Sequence, residues 1–286
     1  MEDAARRDDR ILPATRWTFL VFALILVSAV IILWGTPGRT AERWAWTIEP
    51  EMTPIFMGSV YVAGAFVFFR LFFAKEWHPY SAVLIGAVVL TSLLLITTLV
   101  HFDRFNHGDG PLPADIAFYG WVGIYALAPF WIAALYARNR HHDPGLTGAE
   151  PLVSGSVRRA AAVGGGVGLL VAALFLLWPD GIIDVWPWTL TPLTARVLGS
   201  YVATIGTLGL VLSRDPRWSS WKLIAETLLV FGAFLFVGAL RAFDDFDTGN
   251  VLTWLFLALP LLAGAALLWF RRSMEVQARV EAQAPA

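Results

Sequence analysis

Glu226 stands inside an apolar run, 219–241, that is long enough to cross a bilayer. A carboxylate held at mid-membrane costs several kcal/mol, so an acid in such a run is by default a candidate for function. It lies about five residues from the cytoplasmic boundary, roughly 7 Å in at 1.5 Å per residue. Lys222 precedes it by four residues and offers a partner on the same helix face. The chemistry open to Glu226 is therefore proton or ion coupling, and the plainer alternative is a salt bridge at the membrane boundary.

Two further groups of polar residues recur. Phe-Asp-X-Phe occurs at 102–105 and again at 243–246, placing Asp103, Arg104, Asp244 and Asp245 at the ends of apolar runs. Both runs finish there as helix C-termini, where the helix dipole disfavours a carboxylate by about 0.3–1 kcal/mol. A carboxylate kept in both copies calls for a compensating partner, and Arg196, Arg104, Arg241 and His101 are the candidates. Trp-X-Trp-Thr occurs at 44–47 and 186–189, with a proline three residues after each threonine. Tryptophan favours the membrane interface, where its ring is apolar and its N–H meets water or headgroups. Trp44, Trp46, Trp186 and Trp188 are thus either anchors at helix starts or the wall of an outward-facing cleft. With Asp103, Arg104, Arg196, Asp244 and Asp245 they form a candidate outer cluster for a cation or a small polar solute.

Other site chemistry is excluded or weak. The chain has no cysteine, which removes thiol nucleophiles, disulfides and zinc ribbons. His101, Asp103 and His107 invite a metal, but the second copy has Ala242 in place of His101, and no His-Glu-X-X-His signature occurs. No metal and no cofactor are expected. The net charge of −1 argues against a nucleic-acid partner.

The elements that position these residues are apolar helices. Of 286 residues, 57% are hydrophobic and only 15% charged, against roughly 25% charged in a soluble domain. Uninterrupted apolar runs at 17–38, 52–73, 79–101, 115–137, 160–179, 194–213, 219–241 and 251–270 predict eight membrane-spanning helices. A membrane barrel would instead alternate within strands of about ten residues. The first run exceeds the roughly 7–15 residues of a signal-peptide core and reads as a retained helix. Sixteen of the 21 Lys and Arg residues fall on one side of this topology and 5 on the other. The positive-inside rule then places both termini in the cytoplasm of a cell whose inner, or plasma, membrane holds the chain.

The runs come in two sets of four. When the two tryptophan motifs are superposed, residues 52–105 align without further gaps on 193–246 after a one-residue adjustment, with 11 identities in 54 positions. Gly58-Ser59 meets Gly199-Ser200, Trp77 meets Trp218, and the two Phe-Asp motifs coincide. Pro129 and Pro260 each sit mid-run in the fourth span of a set, where a proline kinks a helix. The predicted fold is all-α: a tail at 1–16, a first repeat at 17–137, a mobile linker at 138–159, a second repeat at 160–271 and a tail at 272–286. Four spans per repeat is an even number. The repeats are therefore parallel, related by a pseudo-twofold axis along the membrane normal. Gly164, Gly165, Gly166 and Gly168 suit close helix packing within the fifth span.

WPWTLTPLTAR at 186–196, with HFDRF at 101–105, resembles segments of uncharacterised bacterial integral membrane proteins. That resemblance implies no activity, and no residue role follows from it. The duplication, the two proline-kinked spans and Glu226 favour a small-solute or ion transporter, with a cavity on the repeat axis. The clustering of repeated polar residues at the outer edge favours a non-catalytic assembly subunit or outward-facing binding module, with a packed axis. A lipid-active enzyme built on Asp103, His101 and His107 is the third reading. The expected partners are the bilayer, a small solute or ion, and another membrane protein or a second copy of the chain.

Overall fold

The computed structural model describes residues 8–108, 110–146 and 150–283, and among these it is helical throughout its regular structure. Ten α-helices follow in order: α1 Pro13–Leu33, α2 Thr40–Arg43, α3 Met52–Phe73, α4 Ser81–Val100, α5 Leu112–Asn139, α6 Gly155–Leu177, α7 Pro179–Ile183, α8 Pro192–Leu212, α9 Trp218–Arg241 and α10 Val251–Gln283. All but α2 and α7 are long and apolar enough to cross a membrane, which makes eight candidate spans. By length and composition the chain is a multi-pass membrane protein.

The helix starts follow from local sequence. Proline occupies the first position of α1 and α8, where its missing N–H costs nothing. Thr191 caps α8 in a reciprocal box with Thr194, as its place before Pro192 suggests. The first-half counterpart differs. α3 begins at Met52, ahead of Thr53 and Pro54, and its Met52 N–H is bound by Asp245 Oδ2 at 2.7 Å, from far along the chain.

The helices pack in a defined pattern. α1 lies on α3, and α6 on α8; α3 meets α9, and α4 meets α8; α5 covers α4, and α10 covers α9. Four helices, α3, α4, α8 and α9, thus form the centre, with α1, α5, α6 and α10 outside them. Apolar side chains on the outer helices are widely exposed, including Leu24, Ile31, Leu170, Leu259 and Trp269. Such faces suit a lipid surround, where exposed apolar area is not penalised.

The tightest contact joins α6 to α8. A Cβ on Gly165 would fall 2.7 Å from Gly206 O, and one on Gly206 would fall 2.9 Å from Gly165 O. The two backbones touch there, as small residues allow in membrane bundles. Gly164 and Gly166 face open space, so only part of the glycine run makes this contact.

We call the end of the bundle where α1 begins and α10 ends proximal and the other end distal. Two buried apolar clusters fill these ends. The distal one contains Trp44, Trp46, Trp121, Trp188 and Phe246, and the proximal one contains Phe19, Trp77, Trp218 and Trp221.

Three features depart from the sequence reading. α1 ends at Leu33, short of residue 38: the Trp34 and Gly35 N–H groups both turn back to Val30 O, the Thr36 N–H to Ile32 O, and Arg241 holds Trp34 O just beyond the helix. α10 runs on to Gln283, well past 270, since Arg271-Glu275 stabilises the extension at (i, i+4) spacing. The linker expected to be mobile is docked in its described parts, 138–146 and 150–159. Val153 is buried, Leu152 bridges to Arg217, and Asp143 pairs with Arg217. Asp143 meets Arg217 on the α8–α9 loop and Glu150 meets His78 on the α3–α4 loop, a complementarity that composition alone does not reveal.

Candidate functional site

At the distal end the four motif tryptophans enter an aromatic cluster and do not line an open cleft. Trp46 packs on Trp121 at 4.8 Å and on Phe105 at 5.0 Å; Trp188 packs on Phe256 at 5.0 Å and on Phe246 at 5.3 Å. Trp44 touches Trp121, and Trp186 touches Phe175. Edge-to-face contacts of this kind stabilise beyond the area they bury. Trp44, Trp46 and Trp188 are buried, and Trp186 is half-buried. Trp188 Nε1 donates to Thr53 Oγ1 at 2.9 Å, which ties the second half to the first. Among the described residues, the indole N–H groups of Trp44, Trp46 and Trp186 have no acceptor.

Apart from one pair, the charged members of the outer cluster do not bond one another among the described residues. Asp103 pairs with its neighbour Arg104 at 3.2 Å, and both are exposed. Asp244 is exposed, while Asp245 caps α3. A carboxylate at the C-terminal end of α9 is thus compensated by the N-terminal end of α3, whose dipole favours it. The two outer arginines do the converse. Arg196 donates to Leu176 O at 3.0 Å, at the C-terminus of α6, and Arg241 donates to Trp34 O at 2.7 Å, just past the end of α1. Cations bound to terminal carbonyls stabilise helix ends. Arg196 Nη1 also donates to His101 Nε2 at 2.7 Å, so that nitrogen is the acceptor. Arg241 therefore binds backbone and lies over the Trp34 ring, rather than pairing with Asp244 or Asp245.

Glu226 is paired on two sides. Arg70 of α3 bonds its Oε2, and Arg271 of α10 approaches Oε1 at 3.4 Å. Lys222 turns instead to Glu275 at 3.8 Å. The three helices α3, α9 and α10 are thus pinned together at the proximal boundary by one carboxylate.

The densest polar cluster is one that the motifs did not indicate. At the proximal end His78 bonds Asp9 through Nδ1 and Ser219 Oγ through Nε2 at 2.7 Å, with Glu150 Oε1 at 3.5 Å. Asp9 Oδ1 also accepts from the Trp77 and His78 N–H groups, and Glu150 accepts from the Ser219 N–H. Beside it, buried Arg217 forks onto Asp143 at 2.7 and 3.1 Å and onto Asp215 at 2.9 Å. Burial pushes the Asp143 carboxyl up, but the Arg217 bonds and the Gly145 N–H outweigh it and hold it below its ordinary value. Burial of Glu150 is likewise outweighed, by His78 and by the Ser219 N–H, and its value is lowered. Burial of Arg217 is outweighed by its two carboxylates, which raise it. Asp9, Glu76 and His78 bring donor atoms within 4.8 Å of one another, a spacing a metal ion tolerates. Asp9 and His78 are already hydrogen-bonded without one. One signal for this cluster exists in the sequence: the repeat alignment sets His78 opposite Ser219 and Glu76 opposite Arg217.

Two cavities lie off the centre. One, about 330 Å³, is lined by Gly155, Arg158, Arg159, Ala162 and Ser213. The other, about 380 Å³, is an apolar groove where α4, α6 and α8 meet, lined by Val88, Leu93, Leu169 and Ala203 among others.

No protein-family model matches this chain, and neither a curated protein nor a solved structure is detectably similar to it.

Proposed function

We propose that the chain is a duplicated, eight-span plasma-membrane protein with cytoplasmic termini that serves as a rigid assembly or binding unit rather than as a carrier. Two parallel four-helix repeats are supported by how their contacts pair. The contacts α1·α3 and α6·α8, α3·α9 and α8·α4, and α4·α5 and α9·α10 exchange with one another when the halves are swapped. Matched residues also do matched things. Asn106 N–H binds Ala45 O and Asp247 N–H binds Pro187 O, while Trp77 N–H binds Asp9 O and Trp218 N–H binds Pro151 O. A Cβ on Gly58 would meet Trp34 at 2.8 Å, and one on Gly199 would meet Phe175 at 2.6 Å. His78 and Ser219, opposite each other in the alignment, touch, as equivalent residues do at a twofold axis.

The observation that carries the function is the filling of that axis. Tyr61 and Tyr201 meet edge-on, Phe56 stacks on Tyr201, and all three are buried. The His78 network closes the proximal end, and the tryptophan cluster closes the distal one. Glu226, the residue with most claim to ion coupling, is neutralised by Arg70 and Arg271.

A small-solute or ion permease is the second reading. It is favoured by Thr97 Oγ1, which is buried without a hydrogen-bond partner among the described residues. The cysteine-free chain permits a direct test. Single cysteines at Phe56 and Tyr201 are exposed to a membrane-impermeant thiol reagent, with Asp103→Cys and Ser273→Cys as outer and inner controls. The assembly reading expects Asp103→Cys to label in intact cells, Ser273→Cys to label only after lysis, and the axis positions to stay protected. Labelling of either axis position would favour the permease.

A further inference from the structure

A cavity lies at the start of α6, beside the end of α8. Two arginines, one hydroxyl and a helix N-terminus line it, and no carboxylate does. Neither Arg158 nor Arg159 makes an ion pair or side-chain hydrogen bond among the described residues, and Arg158 Nε is buried without a partner. The first half shows what such an arginine does when it is used structurally. Arg16, fourth residue of α1 as Arg158 is fourth of α6, binds the α3 carbonyls of Phe72 and Ala74, the latter at 2.9 Å. Arg158 stands by the end of α8 in the same relation but bonds no carbonyl there among the described residues, and Asp215 O, the counterpart of Ala74 O, is taken by Trp221 Nε1 at 2.7 Å. Ser154 takes the Val157 N–H at the head of α6, while the earliest N–H groups of that helix have no intrahelical acceptor. Ser213 Oγ donates to Leu210 O, which leaves its lone pairs for a ligand hydroxyl.

We infer that the cavity between the α6 N-terminus and the α8 C-terminus binds the headgroup of an anionic phospholipid. The guanidinium groups of Arg158 and Arg159 take the phosphate, and Ser213 accepts from a headgroup hydroxyl. A planar guanidinium suits phosphate oxygens, and a helix N-terminus favours an anion. The site lies where the apolar part of α6 begins, at the level a bilayer places its phosphates. A volume of about 330 Å³ accommodates a glycerophosphate group. The inference rests on the bilayer placement, which the cysteine labelling tests separately.

Native mass spectrometry of the purified full chain provides the test, with dioleoylphosphatidylglycerol and dioleoylphosphatidylcholine titrated in turn. Wild type is expected to prefer the glycerol lipid. Loss of two arginines, each contributing about 1 kcal/mol to an anionic lipid, should weaken that binding roughly 30-fold in R158Q/R159Q. R138Q/R140Q removes the same charge from the same end and should change it by less than about threefold. If R158Q/R159Q does not fold, Arg159→Gln alone should weaken binding roughly fivefold. Equal binding of the two lipids by wild type, or equal loss in both double variants, would overturn the site. Inorganic phosphate competing as well as the glycerol lipid would assign the cavity to soluble phosphates and overturn the lipid.

Discussion

At the scale of single residues, partners rather than residue types decide what each motif does. Trp46 and Trp188 occupy matching places and are both buried, yet only Trp188 has an acceptor for its N–H, in Thr53. Replacing either with Phe removes the same ring volume. A net hydrogen bond contributes about 1 kcal/mol, so Trp188→Phe should be the more destabilising by about that amount in thermal unfolding. Equal losses would mean that the Thr53 bond contributes nothing. The acidic linker residues give a pH signature of known sign. Asp143 and Glu150 are held below their ordinary values, so they stabilise the fold at pH above those ordinary values, around 4. That contribution is lost as pH falls through the lowered values. The melting temperature should fall as the pH drops below about 4. Arg217→Gln should cost roughly 3 kcal/mol at pH 7 by stranding two carboxylates, and should flatten the acid fall. The sequence made Glu226, Arg196 and the tryptophans visible because charge in an apolar run and repeated motifs stand out. It could not assign their partners. Arg70 reaches Glu226 and Asp245 reaches Met52 across more than 150 residues of chain, and no local spacing encodes such a contact.

At the scale of elements, apolar runs of about 20 residues fix the number and order of the spans, because a bilayer leaves few alternatives. All eight runs correspond to helices. Their ends are less legible, since they depend on tertiary contacts: Arg241 at the end of α1, Arg16 at the end of α3 and the Glu275 pairs along α10. Linker docking was hidden for the same reason, because a segment rich in Gly, Pro and charge reads as mobile until its charges are matched with those beneath it. The glycine run shows how far packing can be resolved. Its composition announces a close contact, and the structure selects Gly165 by its 2.7 Å clearance to Gly206 O. Gly165→Ala should force the helices apart at a cost of about 1–3 kcal/mol, whereas Gly164→Ala, facing open space, should stay within about 0.5 kcal/mol. Thermal denaturation in detergent, followed by size-exclusion recovery, separates the two.

At the scale of the whole molecule, we propose two halves that meet across a filled pseudo-twofold axis. The internal alignment suggested the halves, and the paired contacts of α3, α4, α8 and α9 support them. The axis itself was not legible, because its aromatic residues are drawn from different registers: Tyr61 faces Tyr201, one position away from strict correspondence. Residues 78 and 219 offer the most direct measurement, because strict equivalents meet there. A chain carrying His78→Cys and Ser219→Cys, with a protease site placed in the linker, is treated with a short bifunctional thiol reagent and then cleaved. The account predicts that the two halves stay covalently joined within one chain, while His78→Cys paired with a cysteine at Arg138 leaves them separable. Halves that part after treatment, or cross-links that form only between chains, would contradict it.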